Sequence, residues 1–132
     1  MPPAIPPIPP THPPPTVSTP HDLTTAIANG VDMIWLAPGT YDLLDEMCSD
    51  FGGSAICLHR SVTIKAAVPG TVVLDAMQQR RVIHISGPST FVQLIGLEIT
   101  GGQTSFYGGG IYMNGGTLHT QDCAITGNTA ND

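Results

Sequence analysis

Cys48 and Cys57 stand nine residues apart inside an acidic stretch, "YDLLDEMCSDFGGSAICLHRS". Two chemistries fit the pair: a disulfide closing a small loop in an oxidising compartment, or two free thiols. Around them Asp42, Asp45, Glu46 and Asp50 offer oxygen ligands of the kind Ca²⁺ takes. Calcium loops space their ligands in a fixed pattern that this segment lacks, so a hydrated acidic loop is expected. Cys123 falls at an inward-facing position, where cysteine behaves as a small apolar residue. Neither zinc-ligand spacing nor an activated-thiol setting is present, and no metal and no cofactor is expected.

The residues expected to face solvent from strands are Lys65, Asp75, His84, Gln93, Glu98, His119 and Asp122. Acid/base catalysis or cation binding on a sheet needs carboxylates at equivalent positions of neighbouring strands, and the numbering suggests no such pair. His84 and His119 fall in different strand columns, which argues against a shared metal. Gln93 and His119 are 26 residues apart, a separation at which strand pairs recur, so the two are expected to stack on one outer face. With Tyr107 or Tyr112 that face reads as a sugar-binding strip; without a ligand it reads as a solvated sheet.

The elements that must hold these residues begin at "STPHDLTTAIANG". Thr19 is placed as N-cap with Pro20 at the first helical position and Asp22 in the capping-box region. Leu23, Ala26 and Ile27 form one apolar face, and Gly30 ends the helix in a left-handed cap. Short alternating runs follow. Ile34/Leu36, Val62/Ile64, Ile83/Ile85 and Ile111/Met113 begin 28, 21 and 28 residues apart. A second column, Val72/Leu74, Val92/Leu94 and Leu118/Thr120, recurs after 20 and 26 residues, and a third, Leu97/Ile99 and Cys123/Ile125, after 26. One inward pair per strand at this period is the arithmetic of a chain wound into stacked coils, with glycine at the corners. The fold class is all-β: a parallel β-helix, a single-stranded solenoid of about 3 to 4 coils, closed at its N-terminal end by the short α-helix. Residues 19–132 form it, with an insertion at about 42–60 that breaks the rhythm.

The stretches "DLTTAIANGVDMIWLAPGTYDL", "SVTIKAAVPGTVVLDA", "LIGLEITGG" and "GGGIYMNGGTLHTQDCAITGNTA" resemble successive coils of the right-handed parallel β-helix proteins of the pectin-lyase-like superfamily. They are most similar to its surface and secreted repeats, such as polymorphic outer-membrane and autotransporter-like passengers. The resemblance covers about residues 19–130 and rests on scaffold motifs, which carry fold rather than function. It implies a right-handed coil and a turn-capping role for Asp75, since family scaffolds commonly carry an aspartate at such a corner. Enzymes of the family cleave acidic polysaccharide by elimination, with aspartate-bound Ca²⁺ and a basic residue, or by hydrolysis with clustered aspartates. Neither set is matched here.

Composition narrows the partners. Ten of the thirteen prolines lie in the first twenty residues, and residues 1–18 are expected to be a disordered polyproline spacer or, at its PxxP spacings, a docking ligand. Lys65, Arg60, Arg80 and Arg81 are the only lysine and arginines in a chain of net charge −6, too few for a phosphate-tracking stripe, so nucleic acid is not an expected partner. No run approaches the roughly 20 apolar residues of a membrane-spanning helix. Proline interrupts every candidate apolar core of a secretion signal. The resulting expectation is a non-catalytic extracellular or cell-surface module that meets polysaccharide or a cell-wall surface with a sheet face. The alternatives are the N-terminal part of a polysaccharide lyase or hydrolase, and a structural protein that stacks end to end through the uncapped C-terminal coil.

Overall fold

Strands of two to five residues cannot satisfy their backbone groups within one turn of chain, so each finds its partner a full turn later. The computed structural model describes residues 16–49, 53–105 and 108–130. After α1 (Pro20–Ala28) come β1 (Met33–Leu36), β2 (Gly39–Asp42), β3 (Ser54–Leu58), β4 (Val62–Ala66), β5 (Val72–Asp75) and β6 (Arg81–Ile85). They are followed by β7 (Phe91–Ile95), β8 (Leu97–Thr100), β9 (Gln103–Thr104), β10 (Ile111–Met113), β11 (Thr117–Gln121), β12 (Ala124–Ile125) and β13 (Thr129–Ala130). All the strand pairs are parallel, in sheets ordered β1-β4-β7-β11, β12-β8-β5-β2, β10-β6-β3 and β13-β9. The protein is an all-β parallel solenoid of about three turns with one short N-terminal helix.

The core is a column of rungs. Ile34, Ile64, Leu94 and Thr120 stack in the first sheet, Tyr41, Leu74, Ile99 and Ile125 in the second, and Ile56, Ile83 and Ile111 in the third. This corrects the expected columns. Ile83/Ile85 and Ile111/Met113 belong to a different sheet from Ile34/Leu36 and Val62/Ile64, while Val72/Leu74 lies in a different sheet from Val92/Leu94. Ile99 and Ile125 do pair on β8 and β12, but in one sheet with Val72/Leu74 rather than in a third column of their own. The error came from β3. The rhythm break over 42–60 contains a full strand, Ser54–Leu58, buried at every position. The expected columns leave no place for that strand, so β4 and β5 keep their faces while the strands from β6 onward are displaced by one face.

The helix closes the N-terminal end as expected. The Thr19 side chain accepts from the Asp22 N–H at 3.1 Å, and Leu23 and Ile27 are buried on the core. Gly30, at φ 81°, sends its N–H to Ile27 O while Val31 N–H reaches Ala26 O, the paired bonds of a Schellman stop. The proline-rich head up to residue 15 lies outside the described residues. Its last residues, expected to be spacer, are part of the fold, because Val17 bonds to both Trp35 O and Ala37 N alongside β1.

Three of the four lysine and arginine side chains bind backbone carbonyls. Arg60 donates to Ile27 O and Val31 O at the helix end, Arg80 to Leu43 O, and Arg81 to Gly108 O. Their charge therefore holds loops in place and forms no external stripe. At the far end the rungs open to solvent: β12 and β13 are exposed, and Ile125 keeps 45% of its surface accessible.

Two consequences follow for stability. Leu23→Ala removes a fully buried side chain from the cap and should cost about 2–4 kcal/mol in chemical denaturation. The Tyr41 hydroxyl lies 2.7 Å from Ala37 O and 2.9 Å from Val17 O, and its one proton serves one carbonyl at a time. Burial raises the Tyr41 pKa, an effect partly offset by the Ala37 hydrogen bond. The folded state therefore holds this proton more tightly than the unfolded chain. Its contribution is complete below the ordinary tyrosine value of about 10 and is lost as pH rises through the higher folded value. Alkaline denaturation curves should show this loss in the wild type, and Tyr41→Phe should reduce it while costing about 1 kcal/mol at neutral pH.

Candidate functional site

The outer face of the β1-β4-β7-β11 sheet is built by strict alternation. Ile34, Leu36, Val62, Ile64, Val92 and Leu94 turn inward, which leaves Met33, Trp35, Thr63, Lys65, Phe91, Gln93 and Ile95 on the opposite side. Parallel register lines them up across the strands at about 4.8 Å. One row runs Met33, Thr63, Gln93, His119, and the next Trp35, Lys65, Ile95, Gln121. Thr63 Oγ1 donates to Gln93 Oε1 at 3.0 Å, which leaves the Gln93 amide nitrogen as a donor. Lys65 Nζ sits 4.8 Å from the Trp35 ring centroid, in cation–π range. Phe91 is 44% and Met33 39% exposed. No carboxylate occurs in these rows, although the chain carries ten.

Gln93 and His119 are register partners on this face. Tyr112 stands elsewhere, beside His84 in the β10-β6-β3 sheet, so it does not extend their row. Tyr107 lies outside the described residues. Lys65, expected to face solvent, lies on this face; Trp35 and Phe91 join it unexpectedly, and the alternation within β1 and β7 is the sequence signal for them.

The second sheet carries a correction. Asp42 and Asp75 are register partners, so two carboxylates do occupy equivalent positions on adjacent coils. The expectation that none would do so places Asp42 in the insertion at about 42–60, whereas Asp42 is the last residue of β2. Asp75 is nevertheless engaged in turning the chain: its Oδ1 accepts from Met77 N–H at 2.8 Å. Met77 and Gln78 adopt φ of 60° and 61°, and Gln78 N–H reaches Gly101 O on the next coil. This is the corner role expected for Asp75.

The third sheet is buried on both sides where β3 and β6 run. Cys48 and Cys57 form a disulfide with Cα atoms 6.2 Å apart, tying the loop that holds Cys48 to β3. Closing so short a loop contributes about 2–3 kcal/mol on a chain-entropy basis. Cys57, His84 and Tyr112 occupy one row across β3, β6 and β10. The His84 and Tyr112 rings stack at 5.2 Å, and His84 Nε2 lies 3.1 Å from Asn114 Oδ1. Fully buried Arg81 donates to Gly108 O and to Ser54 Oγ, with its guanidinium 5.0 Å from the Tyr112 ring centroid. Burial lowers its pKa, partly offset by Tyr112. The 27- and 28-residue steps from Cys57 to His84 to Tyr112 are the sequence signal for this row.

Fold and faces together define a parallel β-solenoid with one open, acid-free sheet face and one face sealed by a disulfide-anchored loop. The chain matches no family model, no curated protein and no solved structure. Among the described residues no helix is long and apolar enough to cross a membrane.

The Asp75 corner is open to direct test. A Cβ on Gly101, at φ 70°, would land on Asp75 Oδ1. Gly101→Ala should therefore destabilise by about 2 kcal/mol, and Asp75→Ala by about 1 kcal/mol, each read from denaturant midpoints.

Proposed function

We propose that this solenoid is a non-catalytic, extracellular or cell-surface binding module that takes polysaccharide on the outer face of β1, β4, β7 and β11. On this reading it is a right-handed β-helix repeat protein of the pectin-lyase-like kind. The observation that carries the proposal is the chemistry of that face: an indole ring, two amides, an imidazole, a hydroxyl and one lysine in straight rows without a carboxylate. Rings pack on the apolar faces of sugars, while amide and imidazole groups hydrogen-bond their hydroxyls. The absence of acids from these rows spares an acidic glycan the repulsion that the chain's net charge of −6 would otherwise supply. The Cys48–Cys57 disulfide suits an oxidising compartment.

One observation favours a second reading, polysaccharide cleavage: the Asp42/Asp75 register pair. The hydrogen bond from Met77 N–H to Asp75 weighs towards a corner and against that reading.

The only tryptophan, Trp35, lies on the proposed face and is its own reporter. Titration with neutral and uronic-acid polysaccharides should change its fluorescence saturably and yield no new reducing ends or unsaturated products. Gln93→Ala and His119→Ala should each weaken binding by about fivefold, the worth of one hydrogen bond. Glu98→Gln, in the second sheet, should leave binding unchanged. Binding that survives the Gln93/His119 double substitution at full strength would overturn the assignment of the face. New sugar ends lost in Asp42→Asn would establish cleavage instead.

A further inference from the structure

The sealed face of the third sheet gathers three metal-binding side chains. Ligand atoms of Cys48, Cys57 and His84 all lie within 4.8 Å of one another. Cys57 and His84 are held rigidly, as register partners of β3 and β6 with 3% and 2% of their surfaces exposed. Cys48, outside the strands, has its backbone bonded to Ser54 in both directions. We propose that reduction of the Cys48–Cys57 disulfide converts this cluster into a binding site for a thiophilic d¹⁰ cation of the zinc class, with Cys48 Sγ, Cys57 Sγ and a His84 ring nitrogen as ligands.

The donor set suits such a cation and no hard one. Two thiolates and a neutral imidazole balance a divalent charge, and sulfur with imidazole selects zinc-like metals over calcium or magnesium. Asn114 Oδ1, 3.1 Å from His84 Nε2, accepts the proton of that nitrogen. The tautomer so fixed places the lone pair on Nδ1, the second-shell arrangement by which amide or carbonyl oxygens orient metal-binding histidines. Arg81, packed on the Tyr112 ring against which His84 stacks, brings a positive charge that favours thiolates.

The chemistry balances. A dithiol reductant delivers two electrons and two protons to the S–S bond, becoming a disulfide itself and leaving two thiols. Binding then releases both thiol protons to solvent as two metal–sulfur bonds and one metal–nitrogen bond form. The fourth tetrahedral position is left to water on the side of half-buried Cys48. Bonds of about 2.3 Å at a tetrahedral angle require the sulfurs to part to about 3.8 Å. The half-buried Cys48 side chain turns to make that room while its backbone stays bonded to Ser54.

The test uses the whole chain, reduced under nitrogen with a phosphine, which ends as the phosphine oxide. Cadmium is titrated by its thiolate charge-transfer absorption, and zinc by competition with a chromophoric chelator. The reduced protein should bind one equivalent with the intensity of two thiolates, and the oxidised protein should bind none. His84→Gln should keep both thiolates yet weaken zinc by about tenfold or more. Circular dichroism of the reduced, metal-free protein should retain the β spectrum. Should His84→Gln fail to fold, the cadmium-113 chemical shift of the wild type decides the point directly, since two sulfurs with one nitrogen and two sulfurs with oxygen resonate apart. Reduced wild type binding no tighter than Cys48→Ser, His84→Gln binding as tightly as wild type, a shift without nitrogen, or unfolding on reduction would each overturn the proposal.

Discussion

A strand of two to five residues exposes more backbone hydrogen-bonding groups than its own coil can satisfy, and everything else in this molecule depends on their being met one coil away. That requirement makes every ladder parallel and stacks like positions on like positions. It turns the interior into a column of rungs such as Ile34, Ile64 and Leu94. It also leaves two ends. The N-terminal end is met by α1, whose Leu23 and Ile27 cover the first coil while Val17 continues the first sheet. At the other end β11, β12 and β13 present their last rungs to solvent.

The same stacking that orders the interior orders the outside, with different results on each face. The first sheet leaves its outer rows open, and they collect rings and uncharged polar groups around Lys65. Corner work occupies the second sheet, where Asp75 and Gly101 meet. Covered by a loop that a disulfide anchors, the third sheet can bury an arginine and a histidine. Both have partners supplied by neighbouring coils: Ser54 and Gly108 for Arg81, Asn114 for His84. A buried cation is tolerable only with such partners, so the disulfide loop and the coil stacking stabilise the same region by different means.

Much of the architecture was legible in the sequence because its signals are local. Alternation in "MIWL", "VTIKA" and "FVQLI" reports which side chains turn inward, and Thr19, Pro20 and Gly30 mark both ends of the helix. The in-register pair Gln93 and His119 was legible too, because the strands before and after them are unbroken. The strand at Ser54–Leu58 was not. Buried at every position, it shows no period-two pattern, and it follows an acidic loop that reads as solvent-exposed.

Sequence alone determined the repeat, the helical cap and the inward or outward sense of most strand residues, since these depend on backbone periodicity over a few positions. Only the tertiary structure decided which strands share a face. That choice depends on the length and path of each intervening turn, and one unrecognised strand moves the strands from β6 onward to another side of the coil. For this reason Cys57 meets His84 at a place that no local pattern marks.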